Sequence, residues 1–414
     1  MLDFQKLSAQ YQQALLRQVV PFWLKYGQDR QYGGYFDLLA TTGDVIAGDK
    51  FVAQQAQQVW AFTWLYNTFD GQPAWLQHAQ HGAVFLSQFA HSDTLTCYAQ
   101  LDRRGRPTVA SSDFLPDNFM VMAYVQLHRA TGNDEWAMLA KQLFTHLFRQ
   151  RETLQTEQDT TLGGYRQVRQ LHESTTLLKV VLELQPLLDE ETWRQYIDTV
   201  LAEILHEFVD RRTDTLREFV LTDGAFLNTP EGRRINVGLV FQTANYLLDF
   251  YGSNVLAKMG AFSASYRKLA IQVMQWCTHL CELAWDETNG GLNQFADLKT
   301  QPLLFPGWQQ KWAWVQVEAL DALLKCHLYT QHSDCLQWFK RIHDYLFHHF
   351  PDPKQTGWQL AVDQTGQPLL SAKTISTVGC FSLIRCLAET AQLFQKCEHI
   401  QAANRRTRVS PPLN

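Results

Sequence analysis

The chain has 414 residues, 46 % of them hydrophobic and 13 % aromatic with thirteen tryptophans, ample material for a large core. A formal charge of −5 excludes the basic footprint that nucleic acid requires. No uninterrupted apolar stretch reaches membrane-spanning length, and the N-terminus lacks the basic-then-apolar order of a secretion signal.

Helical periodicity begins over residues 3–26 and breaks at 29–36 (DRQYGGYF), where an aspartate is followed by glycines and an aromatic run. Residues 51–69 then place Val52, Val59, Trp60, Phe62 and Leu65 at near-helical spacing, and 74–90 form a second helix. This order of one turn phrase and two helices recurs. The phrase at 93–101 (DTLTCYAQL) precedes helices at 117–131 and 134–150, and that at 159–168 (DTTLGGYRQV) precedes 173–188 and 190–210. Next come 214–221 (DTLREFVL) before 237–251 and 261–285, and 286–295 (DETNGGLNQF) before 311–330 and 333–350. The last phrase, 352–362 (DPKQTGWQLAV), precedes a helix at 376–396, and residues 3–26 supply its partner. The six aspartates stand 64, 66, 55, 72 and 66 residues apart, the period of a supersecondary unit copied around an axis.

The first helix of each pair is apolar on most faces and the second carries charge on one side, the patterns of an inner and an outer helix. The expected fold is therefore all-α: an (α/α)6 barrel of six helical hairpins, with the Asp/Gly phrases as short β-hairpins at one rim. No linker divides it, so residues 1–398 read as one domain and 399–414 as a polar, disordered tail. The eight cysteines contain no CxxC pair and read as buried, reduced thiols of a cytoplasmic protein. Zinc-protease, serine-hydrolase, Walker and Rossmann signatures are absent, which disfavours zinc proteases, serine hydrolases and nucleotide enzymes.

The segments PFWLKYGQDRQYGGYFDLL (21–39), KFVAQQAQQVWAFTWLYNTF (50–69) and EGRRINVGL (231–239) resemble the N-acylglucosamine 2-epimerase family, with cellobiose 2-epimerases and aldose–ketose isomerases. QQKWAWVQVEALDALL (309–324), RIHDYLFHHFPDP (341–353) and VGCFSLIRCL (378–387) extend the likeness over about residues 10–396. The resemblance implies an (α/α)6 barrel, a small carbohydrate in the central cleft and no cofactor; it leaves a homodimer open. It also implies exchange of the C2 proton of an open-chain sugar by two histidines, one in an NPGH-like and one in a GCFH-like motif. An arginine on the first inner helix and a glutamate after the first histidine would support them.

This chain departs at each place. Asn236-Val237-Gly238-Leu239 puts Leu239 where the first histidine belongs, and Gln242 stands for the glutamate. Gly379-Cys380-Phe381-Ser382 puts Ser382 at the second histidine, and Gln57 at the arginine. Leucine exchanges no proton, and neutral glutamine and serine are not bases at neutral pH. What remains is a binding frame: Trp60, Asp117, Arg233, Asn236, Lys311, Trp312, Trp314 and Glu318.

Each of these has a plainer account. Core packing serves for Trp60, Trp312 and Trp314, a helix-start role for Asp117, and an ion pair with Lys311 or Arg385 for Glu318. His172, Glu318 and Asp117 are the remaining candidates for a rebuilt acid–base set. Lys179 is placed either to serve as a cation in the cavity or to pair with Glu183 four residues on, and His343, His348 and His349 to face solvent on an outer helix. The expected function is a family member that binds a sugar or sugar-like ligand without the two-histidine reaction. The alternatives are an active epimerase or isomerase with a rebuilt pair, and a non-enzymatic scaffold.

Overall fold

The computed structural model describes residues 2–158, 168–221, 224–253 and 264–409. The phrase expected at 159–168 falls outside these residues except for its last position. The first helices of the pairs are Val52–Thr68, Leu115–Thr131, Leu171–Leu184, Val237–Tyr251, Ala313–Thr330 and Phe381–Val409. Each packs on the next, and the sixth returns to the first, so the inner ring closes. The outer partners are Pro73–Phe89, Asp134–Gln158, Glu190–Glu203, Ala264–Ala284 and Ser333–His349, each packed on its own inner helix. Phe4–Gln13 completes the sixth pair by packing on the last helix. This is the (α/α)6 barrel read from the periodicity.

The ring is sealed by aromatic packing and a few polar ties. Phe4 stacks on Phe394 with ring centroids 5.7 Å apart, Tyr11 meets Phe394 and Phe347 edge-on, and Ser8 Oγ donates to Ala391 O at 2.8 Å. The N-terminal helix widens to a π-helix over Ala14–Val19 just ahead of Pro21, where a helical N–H is missing. Among the described residues no helix is long and apolar enough to cross a membrane. All eight cysteines are buried and free.

The five described turn phrases are closed alike. Bridges close them at Gln28–Tyr35, His91–Cys97, Trp285–Leu292 and Pro351–Trp358, and Val209 pairs with Leu216 in the same way. In the first and fifth phrases the aspartate carboxylate accepts backbone N–H groups of the turn, Gln31 and Tyr32 for Asp29, Thr288 and Asn289 for Asp286. The two glycines after it take left-handed φ values of 83° and 67° at Gly33 and Gly34, and 75° and 79° at Gly290 and Gly291. A lysine from the strand leading to the next inner helix then reaches back to the aspartate. Lys50 lies 3.3 Å from Asp29, Lys311 2.9 Å from Asp286, and Lys373 2.7 Å from Asp352.

Several element bounds differ from the periodicity. Lys311–Trp312 is a strand paired with Val362 and Ala361, so the fifth inner helix begins only at Ala313. The third inner helix gives way to a 3-10 turn at Gln185–Leu187, where Pro186 cannot continue the α-helix. The sixth runs from Phe381 through Val409, into the segment set apart as a tail.

Candidate functional site

All six inner helices begin at the same end of the ring, and their starts enclose a cavity of about 330 Å³. Gln57 comes from the first, Leu115 and Phe119 from the second, and His172 and Thr176 from the third. Asn236 and Gln242 come from the start of the fourth, Trp314 from the fifth, Phe381 and Ser382 from the sixth. Rim residues Gln294, Thr377, Val378 and Gly379 complete it. Among the described residues lining it there is one imidazole, His172, and no lysine, arginine, aspartate or glutamate.

Rim strands cover the helix starts and take up their first N–H groups, which would otherwise lack partners. Leu171 N donates to Glu218 O at 2.9 Å, Val237 N to Gln294 O at 3.1 Å and Ala313 N to Leu360 O at 3.1 Å. Asn236, which lines the cavity, caps the fourth helix by accepting from Leu239 N at 3.2 Å. Trp314 lies across Gly238: a Cβ there would come within 2.2 Å of the indole, so only glycine lets the ring sit this close. The indole Nε1 is buried without a partner, so Trp314 offers the cavity a ring and no donor.

Beneath the floor lies Glu318, fully buried. Its Oε1 accepts from Ser382 Oγ at 2.7 Å and Gln242 Nε2 at 3.2 Å. Its Oε2 accepts from Asn245 Nδ2 at 2.9 Å and from the Arg385 guanidinium. Two of the positions singled out in the sequence, Gln242 and Ser382, thus converge on one carboxylate. Arg385 continues the chain to Glu389 at 2.8 Å and Asp321 at 3.4 Å, and Lys325 joins Glu389, Asp321 and Asp249 at 3.1, 2.9 and 2.7 Å. Within this column burial drives the Asp321 carboxyl well above its usual range; for Glu389 burial pulls the same way, but Lys325 and Arg385 outweigh it and hold the acid low.

The other expected site residues lie elsewhere. Trp60 is fully buried, stacked on Trp64 and against Phe381, so it belongs to the core. Lys311 is also fully buried, its ammonium taken by Asp286 and by Gln364 O at 2.9 Å. Trp312 is buried on the rim strand and does not line the cavity. Arg233 turns outward to Asp297 and Gln301, both at 3.2 Å. Leu239 is buried behind the wall.

Asp117 accepts from Cys97 N at 3.0 Å, and burial raises its carboxyl. It lines a different cavity, of about 530 Å³, between the second inner helix and its outer partner, with His146 and Arg149. That cavity is larger, but Gln57, Gln242 and Ser382 line the axial one. Lys179 pairs with Glu183 at 3.2 Å. His343, expected at the surface, is half-buried against Tyr11, its Nδ1 3.1 Å from the phenol oxygen. Thr176 and Gln294 went unnoticed in the sequence. Thr176 had a signal, one helical turn beyond His172; Gln294 had none, because the fold of the rim alone brings it in. Among the described residues no cluster could hold a metal ion.

The family model described as N-acylglucosamine 2-epimerase matches residues 34–377 of this chain. A curated N-acylglucosamine 2-epimerase of Bos taurus is 27 % identical over 406 residues, covering 96 % of this chain and 94 % of that protein. The solved cellobiose 2-epimerase of Bacillus thermoamylovorans superimposes with a TM-score of 0.79 at 19 % identity, covering 94 % of this chain and 99 % of that one. The cellobiose 2-epimerase of Spirochaeta thermophila gives 0.78 at 18 % identity, covering 95 % and 98 %.

Proposed function

Because this chain belongs to the N-acylglucosamine 2-epimerase family, we propose that its central cleft takes a monosaccharide-sized carbohydrate without two-histidine proton exchange at C2. The observation that carries this reading is the chemistry of the cavity lining. Inverting a carbon acid requires a base on one face and an acid on the other, and the enediolate between them requires positive charge or preorganised donors. On the motif match the two histidines fall on Leu239 and Ser382, the glutamate on Gln242 and the arginine on Gln57. Among the described residues the lining offers a single imidazole and no cation. Glu318 does not replace the missing base, because four donors already occupy its two oxygens.

Amides, hydroxyls and an indole face around about 330 Å³ are well suited to a small polyhydroxylated ring or chain. The test is solvent exchange: N-acetylmannosamine or mannose incubated with the protein in heavy water should gain no deuterium at C2. Incorporation faster than in a protein-free control would overturn the proposal. Binding without exchange separates it from a pure scaffold.

One observation favours a second reading. His172 lines the cavity, and one base suffices to carry a proton between C1 and C2 on a single face, which is aldose–ketose isomerisation. In the same experiment that reading requires a ketose product labelled at C1, lost in His172→Gln.

A further inference from the structure

We propose that the lateral cavity of about 530 Å³, outside the inner ring, is a second carbohydrate site that takes a closed, uncharged pyranose. It is independent of the axial cleft and goes beyond the reading given for that cleft.

The start of the second inner helix is the wall between the two cavities. Leu115 and Phe119, one turn apart, line the axial one, whereas Phe114 and Asp117 line the lateral one. His146, Arg149 and Gln150 enter from the outer helix of the same pair. Of the ten described residues that line the lateral cavity, nine are polar and one, Phe114, is aromatic.

These polar groups are held in place and keep capacity to spare. Thr96 Oγ1 accepts from Gln150 Nε2 at 3.2 Å and lies 3.1 Å from His146 Nε2, which ties both side chains down. The Gln150 carbonyl oxygen has no donor among the described residues. Asp113 Oδ1 accepts from Leu115 N at 2.9 Å, and its other oxygen also lacks a donor among them. Asp117 is 3 % exposed and accepts from Cys97 N at 3.0 Å. The Arg149 guanidinium has no hydrogen-bond or ion-pair partner among the described residues.

Charge argues against an ion. An anion drawn to Arg149 meets Asp113 and Asp117, and a cation drawn to the two acids meets Arg149. An apolar ligand would strip nine polar side chains of water in exchange for one phenyl ring. Pyranose hydroxyls both donate and accept, so one sugar can donate to Asp113 and Gln150 and accept from Arg149. Its C–H face covers Phe114. The volume lies within the roughly 300–1,000 Å³ of ligand pockets.

Equilibrium dialysis of the full chain against radiolabelled D-mannose tests this. Two sugars should bind per chain, and methyl α-D-mannopyranoside, which cannot open, should displace the lateral one. Arg149 is exposed, so Arg149→Ala should keep the parent's melting temperature. It should weaken one site about tenfold and leave the other. Phe114→Ala should weaken the same site, and Trp314→Ala only the other. A single site lost in Trp314→Ala and indifferent to Arg149→Ala would overturn the second site while leaving the axial reading standing. A single site with the reverse pattern would sustain it and remove the axial reading. Displacement by inorganic phosphate and not by the methyl pyranoside would make the cavity an anion site and overturn the proposal. No binding at all would sink both.

Discussion

Asp37 is a carboxyl held where ionisation is costly. It accepts from Phe51 N at 2.7 Å and Gln55 Nε2 at 2.9 Å, and burial pushes its pKa from 3.8 to about 7 against those bonds and Lys50. The folded state thus holds a proton that the unfolded chain has released. This contribution to stability is complete below about pH 4 and is lost as pH rises toward 7. The span from 3.8 to about 7 is worth roughly 4 kcal/mol as an upper figure. Urea midpoints at pH 5 and pH 8 should differ less in Asp37→Asn than in the parent; an unchanged difference would refute the assignment.

At this scale the sequence revealed residue type but not direction. Trp60, Trp312 and Trp314 look alike in a string, yet only Trp314 faces the cavity, because Gly238 opposite it has no side chain. Glu318 was legible as a buried acid needing a partner. That Gln242 and Ser382 would both bond it was not, since they lie 76 and 64 residues away.

At the scale of the element, the recurring turn is a small structural device. Its aspartate holds the glycine turn by accepting backbone N–H groups, and its lysine ties that turn to the strand that starts the next inner helix. For Asp286, burial acts to raise the carboxyl, but the Lys311 and Asn289 hydrogen bonds outweigh it and the pKa falls below 3.8. Its contribution is therefore present above about pH 4 and lost as pH falls through the lowered value, opposite in sign to that of Asp37. Asp286→Ala leaves the buried Lys311 unpaired and should cost about 3–5 kcal/mol, whereas Asp286→Ala with Lys311→Met should cost clearly less than the sum of the singles. Additive costs in denaturant unfolding would show that the pair does not act as a unit.

The period of these turns was readable because aspartate and glycine are chemically unusual at such places. The lysine was not, since its spacing from the aspartate is set by the rim path and not by a local pattern. Helix bounds failed where strands intruded: Lys311 and Trp312 fit a helical stripe, but pairing with Val362 and Ala361 holds them extended.

For the whole molecule, closure of the inner ring is the decisive property. Twelve helices alternating between apolar and one-sided patterns left few alternatives to six hairpins, which is why the architecture was legible while the ligand was not. Removing residues 1–26 would uncover Phe394 and Ala391 on the last inner helix and Phe347 on the outer helix of the fifth pair. The truncated chain should be expressed mostly insoluble or melt well below the parent by differential scanning calorimetry. A soluble form with an unchanged melting temperature would show that the ring is stable open.

The seam between the first helix and the last also fixes a timetable. On the ribosome Phe4–Gln13 is made before the other barrel helices and must wait for Phe381–Val409, made after them, with its Phe4 and Tyr11 faces uncovered while the ring between is synthesised. Long-range contacts of this kind form slowly and leave the nascent chain prone to clumping. Synthesis without chaperones should therefore yield less native protein than a circular permutant that joins those two helices in sequence.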